Sequence, residues 1–132
     1  MIVVDTNLLV YLLVQGARTK AAEAAYQRDS EWVAPPLWRS EFRNTIALYR
    51  RRGLLSVGEV FAAIARAEIV IRKDVPVRSA DVLHLTLASR CSAYDCEFVA
   101  VAREIGVPLV TADRQILAEF PAIAVSLDAF AA

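Results

Sequence analysis

Three short segments with almost no polar side chain constrain this chain more than any other feature: Ile2-Val3-Val4, Trp32-Val33-Ala34 and Leu109-Val110-Thr111. Strands that are apolar on both faces and alternate with helices imply a parallel sheet covered on both sides. Two more strands are read at Glu68 to Ile71 and Ile123 to Leu127. Between them run helices from about Asn7 to Val14, Lys20 to Arg28, and a long one from Pro35-Pro36 to about Arg52, where Gly53 suits a left-handed cap. Ser56-Val57-Gly58-Glu59 has capping-box spacing and opens a helix to about Ala67. Further helices span Ser79 to Arg90, Ser92-x-x-Asp95 to near Gly106, and Arg114 to Glu119. The expectation is one three-layer α/β/α domain over residues 1–132, with a central, mostly parallel sheet of about five short strands. No repeat, linker or low-complexity stretch interrupts it.

Composition narrows the function. With 57% hydrophobic residues and a mean hydropathy of +0.41, the chain has ample core material. Its longest apolar run, Leu8 to Val14, is too short to cross a bilayer, and its start lacks the features of a signal peptide. A cytoplasmic protein with no membrane association is expected. Zero net charge and a pI near 6.6 argue against gripping nucleic acid by charge alone. A phosphate held through a metal stays open. Cys91 and Cys96 form neither a CxxC nor a zinc pattern and read as thiols filling the core.

The chemistry lies in four acids. Asp5 follows the first strand and Asp113 follows the strand at Leu109 to Thr111. Both fall at the carboxyl edge, where open α/β sheets bind ligands. Glu41, in "LWRSEFRN", and Asp95, in "SAYDCEFVAVA", lie where strand-to-helix connections meet the core. Each has an ordinary reading as well. Asp95 suits the third position of a capping box, Asp113 an N-cap. Glu41 can pair with Arg39 or Arg43, and Asp5 can bond to a helix N-terminus. Four carboxylates on one rim repel strongly unless neutralised, and neither Lys20 nor Lys73 sits in an apolar context. A divalent cation resolves the conflict, and all-oxygen ligation suits Mg²⁺ or Mn²⁺.

The order of "VVDTN", "SEFRN", "YDCEFVAVA" and "LVTAD" resembles the PIN-domain nucleases, specifically the single-domain VapC toxins of toxin–antitoxin pairs. The likeness covers nearly the whole chain. It implies a PIN-like parallel sheet between helical layers, and a Mg²⁺-dependent endoribonuclease in which Mn²⁺ can substitute. Asp5, Glu41, Asp95 and Asp113 would then be both the catalytic and the metal-binding residues. Phosphodiester hydrolysis would leave a 5′-phosphate and a 3′-hydroxyl. The likeness also implies an RNA substrate, a homodimer, and a cognate VapB-type antitoxin whose basic residue could reach the four acids.

Around these acids the residues divide. Thr6, Asn7 and Thr111 follow or end rim strands and are candidates for orienting ligands, or else turn and cap residues. Asn44 lies one helical turn beyond Glu41. Arg39 and Arg43 flank Glu41 and are candidate RNA contacts, whereas Arg50-Arg51-Arg52 suits a helix C-terminus. Trp38 is a core or interface residue more readily than a base-stacking one. Glu97 points roughly away from the face of Asp95, and His84 is mid-helix without a histidine partner. Two alternatives stay open. One is a non-catalytic PIN-like RNA-binding or regulatory module. The other is another Mg²⁺ phosphoryl-transfer hydrolase of haloacid-dehalogenase type, although Asn7 replaces the second acid that chemistry needs. The apolar surplus, in "LLVYLLV" and "VFAAIARA", predicts exposed surfaces for a dimer partner and an antitoxin.

Overall fold

A computed structural model describes all 132 residues, Met1–Ala132. Five strands form one sheet: β1 (Ile2–Val4), β2 (Trp32–Ala34), β3 (Ile71–Asp74), β4 (Leu109–Thr111) and β5 (Ala124–Ser126). Their order is β3-β2-β1-β4-β5, and all four pairings are parallel. Every residue of β1, β2 and β4 is buried, which is why these segments carry no polar alternation. The edge strand β3 differs, with Ile71 buried but Arg72 and Lys73 exposed. Charged side chains there discourage pairing with another sheet.

The helices are α1 (Thr6–Leu13), α2 (Thr19–Arg28), α3 (Leu37–Arg51), α4 (Val57–Val70), α5 (Ser79–Leu87), α6 (Ala93–Ile105), α7 (Arg114–Glu119) and α8 (Leu127–Ala131). One layer joins α1 to α2, α3 and α4, with α8 against α2. The other pairs α5 with α6, which lies on β1 and β4. The core between them is anchored by Trp32, Trp38, Phe42 and Phe98, all essentially inaccessible. Burying each such ring contributes about 2–3 kcal/mol.

Local signals explain the boundaries. The Ser56–Glu59 capping box is complete, with the Glu59 N–H donating to Ser56 Oγ at 3.1 Å and the Ser56 N–H donating to Glu59 Oε1 at 2.9 Å. Gly53 and Gly106 both adopt left-handed φ, 75° and 71°, just past α3 and α6. Two expectations are corrected. The segment Glu68 to Ile71 is not a strand: α4 continues through Val70, and the strand begins at Ile71 with no turn residue between them. The last strand is shorter than Ile123 to Leu127, because Ser126 caps α8 by accepting the Ala129 N–H at 3.1 Å. On α1 the apolar side chains divide: Leu8, Leu9 and Val10 are buried, while Tyr11, Leu12 and Leu13 are only half-buried. On α4, by contrast, Val57, Phe61 and Ile69 stay 56–74% exposed. No helix is long and apolar enough to cross a membrane.

Candidate functional site

The carboxyl edge of the sheet gathers side chains from distant parts of the chain. The Asp5 N–H donates to the Val110 carbonyl at 3.2 Å, so β1 stays paired to β4 up to the site itself. The Asp5 carbonyl then accepts the Leu8 N–H at 3.0 Å and opens α1. The Thr111 hydroxyl donates to Asp5 Oδ2 at 2.8 Å and accepts the Asp113 N–H at 3.0 Å. The Thr6 hydroxyl donates to Glu41 Oε1 at 2.7 Å. Thr6 and Thr111 are both buried, so their hydroxyls are fixed by packing as well as by these bonds.

Burial pushes the Asp5 carboxyl up, and the nearby Asp95 and Asp113 charges push it the same way against the Thr111 hydrogen bond. Glu41 is raised first by burial, then by Asp5, Asp95 and Glu97, with Thr6 opposing. Asp95 is raised by burial and by Asp113, with Ser92 opposing. The four acids therefore feel one another, and none of them takes part in an ion pair. Glu97, half-buried and itself raised by burial, adds a fifth negative group beside Glu41.

Some ordinary readings hold alongside. Asp113 caps α7, its Oδ1 accepting the Gln115 and Ile116 N–H groups at 2.9 and 3.0 Å. The α6 cap is one-sided: the Asp95 N–H donates to Ser92 Oγ at 3.1 Å, leaving the Asp95 carboxylate outside a capping box. Glu41 does not pair with an arginine.

The arginine expectations fare differently. Residues two positions apart on a helix point about 200° apart, so Arg39 and Arg43 face away from Glu41. The Arg39 guanidinium is taken up by Glu68 at 2.8 Å and by Asp74, and it lies 4.8 Å from the Trp38 ring centroid. That corrects its assignment as a free RNA contact. Arg43 is exposed and close enough to help hold the Glu68 carboxyl low. Asn44, at the i+3 position, shares the side of Glu41 and is exposed, as is Asn7 at the start of α1. Sequence reasoning missed Asp74, which accepts the Trp38 indole N–H at 2.8 Å and ties the start of α3 to the end of β3. An acid ending an edge strand gave no hint of a partner so far along the chain.

A three-layer parallel α/β/α domain with mutually repelling acids along its carboxyl edge defines the class. Residues 2–123 match the PIN domain family, and the chain belongs to it. It is 32% identical over 127 residues to Ribonuclease VapC3 of Pyrobaculum aerophilum, covering 92% of this chain and 96% of that protein. The fold matches the crystal structure of PAE2754 from Pyrobaculum aerophilum with a TM-score of 0.76, over 98% of this chain and 85% of that one. At 20% identity, that likeness speaks for the fold alone.

Proposed function

We propose that this PIN-domain chain is an endoribonuclease, the toxin of a VapBC-type toxin–antitoxin pair. One observation carries the reading: the identity to Ribonuclease VapC3 runs through almost the full length of both chains. The acids on the rim support it, since PIN-domain ribonucleases generally depend on a divalent metal.

Asp5, Glu41, Asp95 and Asp113 are the residues that would hold the ion. Their donor chemistry fits: all are hard oxygens, three are raised by burial and by neighbouring charge, and no cationic side chain neutralises them. No three acids stand together so as to hold an ion by themselves, so an ion bound here would complete its shell with water, as Mg²⁺ commonly does, and Mn²⁺ could substitute. When bound, such an ion supplies charge to offset that of the reacting phosphodiester and acidifies a water. The protein does the remainder. Thr111 orients Asp5, Thr6 orients Glu41, and the buried strand ends keep these bonds from relaxing. Asn7 and Asn44, both exposed, are the polar accessory groups of this reading. The apolar side chains left exposed on α4 and α5 provide the surfaces for a homodimer and for a VapB-type antitoxin, and the protein acts in the cytoplasm.

The test is cleavage of total RNA by purified protein with Mg²⁺ or Mn²⁺, its loss in EDTA, and its return when the ion is restored. Undiminished cleavage in EDTA, in a preparation free of other nucleases, overturns the metal. Absence of cleavage under every condition, with metal still raising the melting temperature, overturns the enzyme.

A further inference from the structure

Two helices begin at the rim, and each sets an acid beside a solvent-facing side chain suited to RNA. On α6 the pair is Tyr94 and Asp95; on α7 it is Asp113, the cap residue, and Arg114. Asp113 is tied through Thr111 to Asp5 at the end of β1, and α6 packs on β1 and β4, so both helices start at the same edge of the sheet and Tyr94 and Arg114 stand near one another's acids. On α6, where successive residues point about 100° apart, Asp95 is half-buried while Tyr94 beside it stands in solvent.

Tyr94 is 64% exposed. It takes part in neither aromatic pair, Tyr26 with Trp32 or Trp38 with Phe42. The other strongly exposed ring, Phe61, lies on α4, which contributes no acid to the rim. Arg114 is exposed and belongs to no ion pair, unlike Arg39, whose charge is spent within the fold. An unpaired ring offers a stacking platform for any base, and an unpaired guanidinium offers a phosphate contact.

Resting on the ribonuclease reading above, we propose that Tyr94 stacks on a nucleobase flanking the scissile phosphate, while Arg114 contacts the adjoining backbone phosphate. Tyr94 is thereby a substrate-positioning residue. Its adjacency to Asp95 favours RNA over a protein partner as the occupant of this ring.

Cleavage sites are first mapped in total RNA. A short oligoribonucleotide spanning one site is then made intact and with single abasic positions on either side. Tyr94→Ala should lower kcat/KM on the intact oligomer about tenfold, chiefly through KM, with an unchanged melting temperature. Tyr94→Phe and Tyr94→Trp should stay within about twofold of wild type, because the ring is kept. On the oligomer lacking the contacted base, wild type and Tyr94→Ala should converge. Arg114→Ala should raise KM and flatten its salt dependence. The inference is overturned if Tyr94→Ala matches wild type, if Tyr94→Phe loses as much, if the loss persists on every abasic oligomer, or if the change is in oligomeric state instead. An unchanged KM in Arg114→Ala overturns the phosphate contact. A wild-type protein that cuts no RNA fails the ribonuclease reading first and takes this inference with it.

Discussion

The Thr111 hydroxyl donates to Asp5 Oδ2 at 2.8 Å across 106 positions of sequence. It is the only side-chain donor bonded to this carboxyl group, and it opposes the upward push of burial. Replacing it with the isosteric Val leaves Asp5 without that bond. Thr111→Val should cost about 1–3 kcal/mol at neutral pH and about 10–100-fold in cleavage, with Thr111→Ser largely restoring both. Chemical denaturation and initial rates measure this pair of effects, and full activity in Thr111→Val would show that Asp5 needs no such support.

Asp5 itself should reveal its strain through pH. A carboxyl raised on folding binds more protons folded than unfolded, so its charge weakens the fold as pH climbs past the ordinary value of 3.8. In EDTA, Asp5→Asn should therefore melt above wild type at pH 7, with the gap closing as pH falls toward about 4. Asp29, Glu68 and Asp74 are shifted the opposite way, but they contribute equally to both proteins and cancel in the difference. Thermal melts across this range test it, and a constant gap would remove charge repulsion as its cause.

Asp113 serves the α7 cap and the acidic rim at once, and two substitutions separate the roles. Asn is as good a cap as Asp. Asp113→Asn should keep stability within about 0.5 kcal/mol while cleavage collapses, whereas Asp113→Ala should lose about 1 kcal/mol as well. If Asp113→Asn retains wild-type rates, capping is its whole purpose.

Asp74 accepts the indole N–H of Trp38, which is 1% exposed, and also pairs with Arg39. Asp74→Ala strands a buried donor, so a loss of about 2 kcal/mol is expected. Both Asp74 and Glu68 are held low, Glu68 chiefly by Arg39 and Asp74 by Trp38 and Arg39 against its burial. This stability is present above their unfolded values and fades as pH falls through the lower folded ones. Urea titrations at pH 7 and pH 3 check both, and equal losses at the two values would contradict the assignment.

Much of this architecture was legible because its signals are local. β1, β2 and β4 declare themselves by unbroken apolarity, α4 by its capping box, and the ends of α3 and α6 by glycine. The junction of α4 with β3 was misplaced because nothing punctuates Glu68-Ile69-Val70-Ile71, and packing alone decides where the helix stops. α8 escaped notice because five residues show no period. At the site, Asp5 and Asp113 could be read from strand ends, and Glu41 and Asp95 from where their helices meet the core. Their partners could not: Thr6 to Glu41 spans 35 positions and Thr111 to Asp5 spans 106, distances on which local pattern is silent. The direction of Arg39 and Arg43 was available all along in the helical period.

The strand order carries a consequence in time. β1 lies in the middle of the sheet, yet it leaves the ribosome long before β4, which must add alongside it. A domain folds as a unit once enough of it has emerged. Until Leu109–Thr111 is available, Asp5 lacks Thr111, Asp113 is not yet in place, and the cleft has one side missing. A site that depends on Asp5 and Asp113 together would thus stay unarmed on the nascent chain until β4 has joined β1.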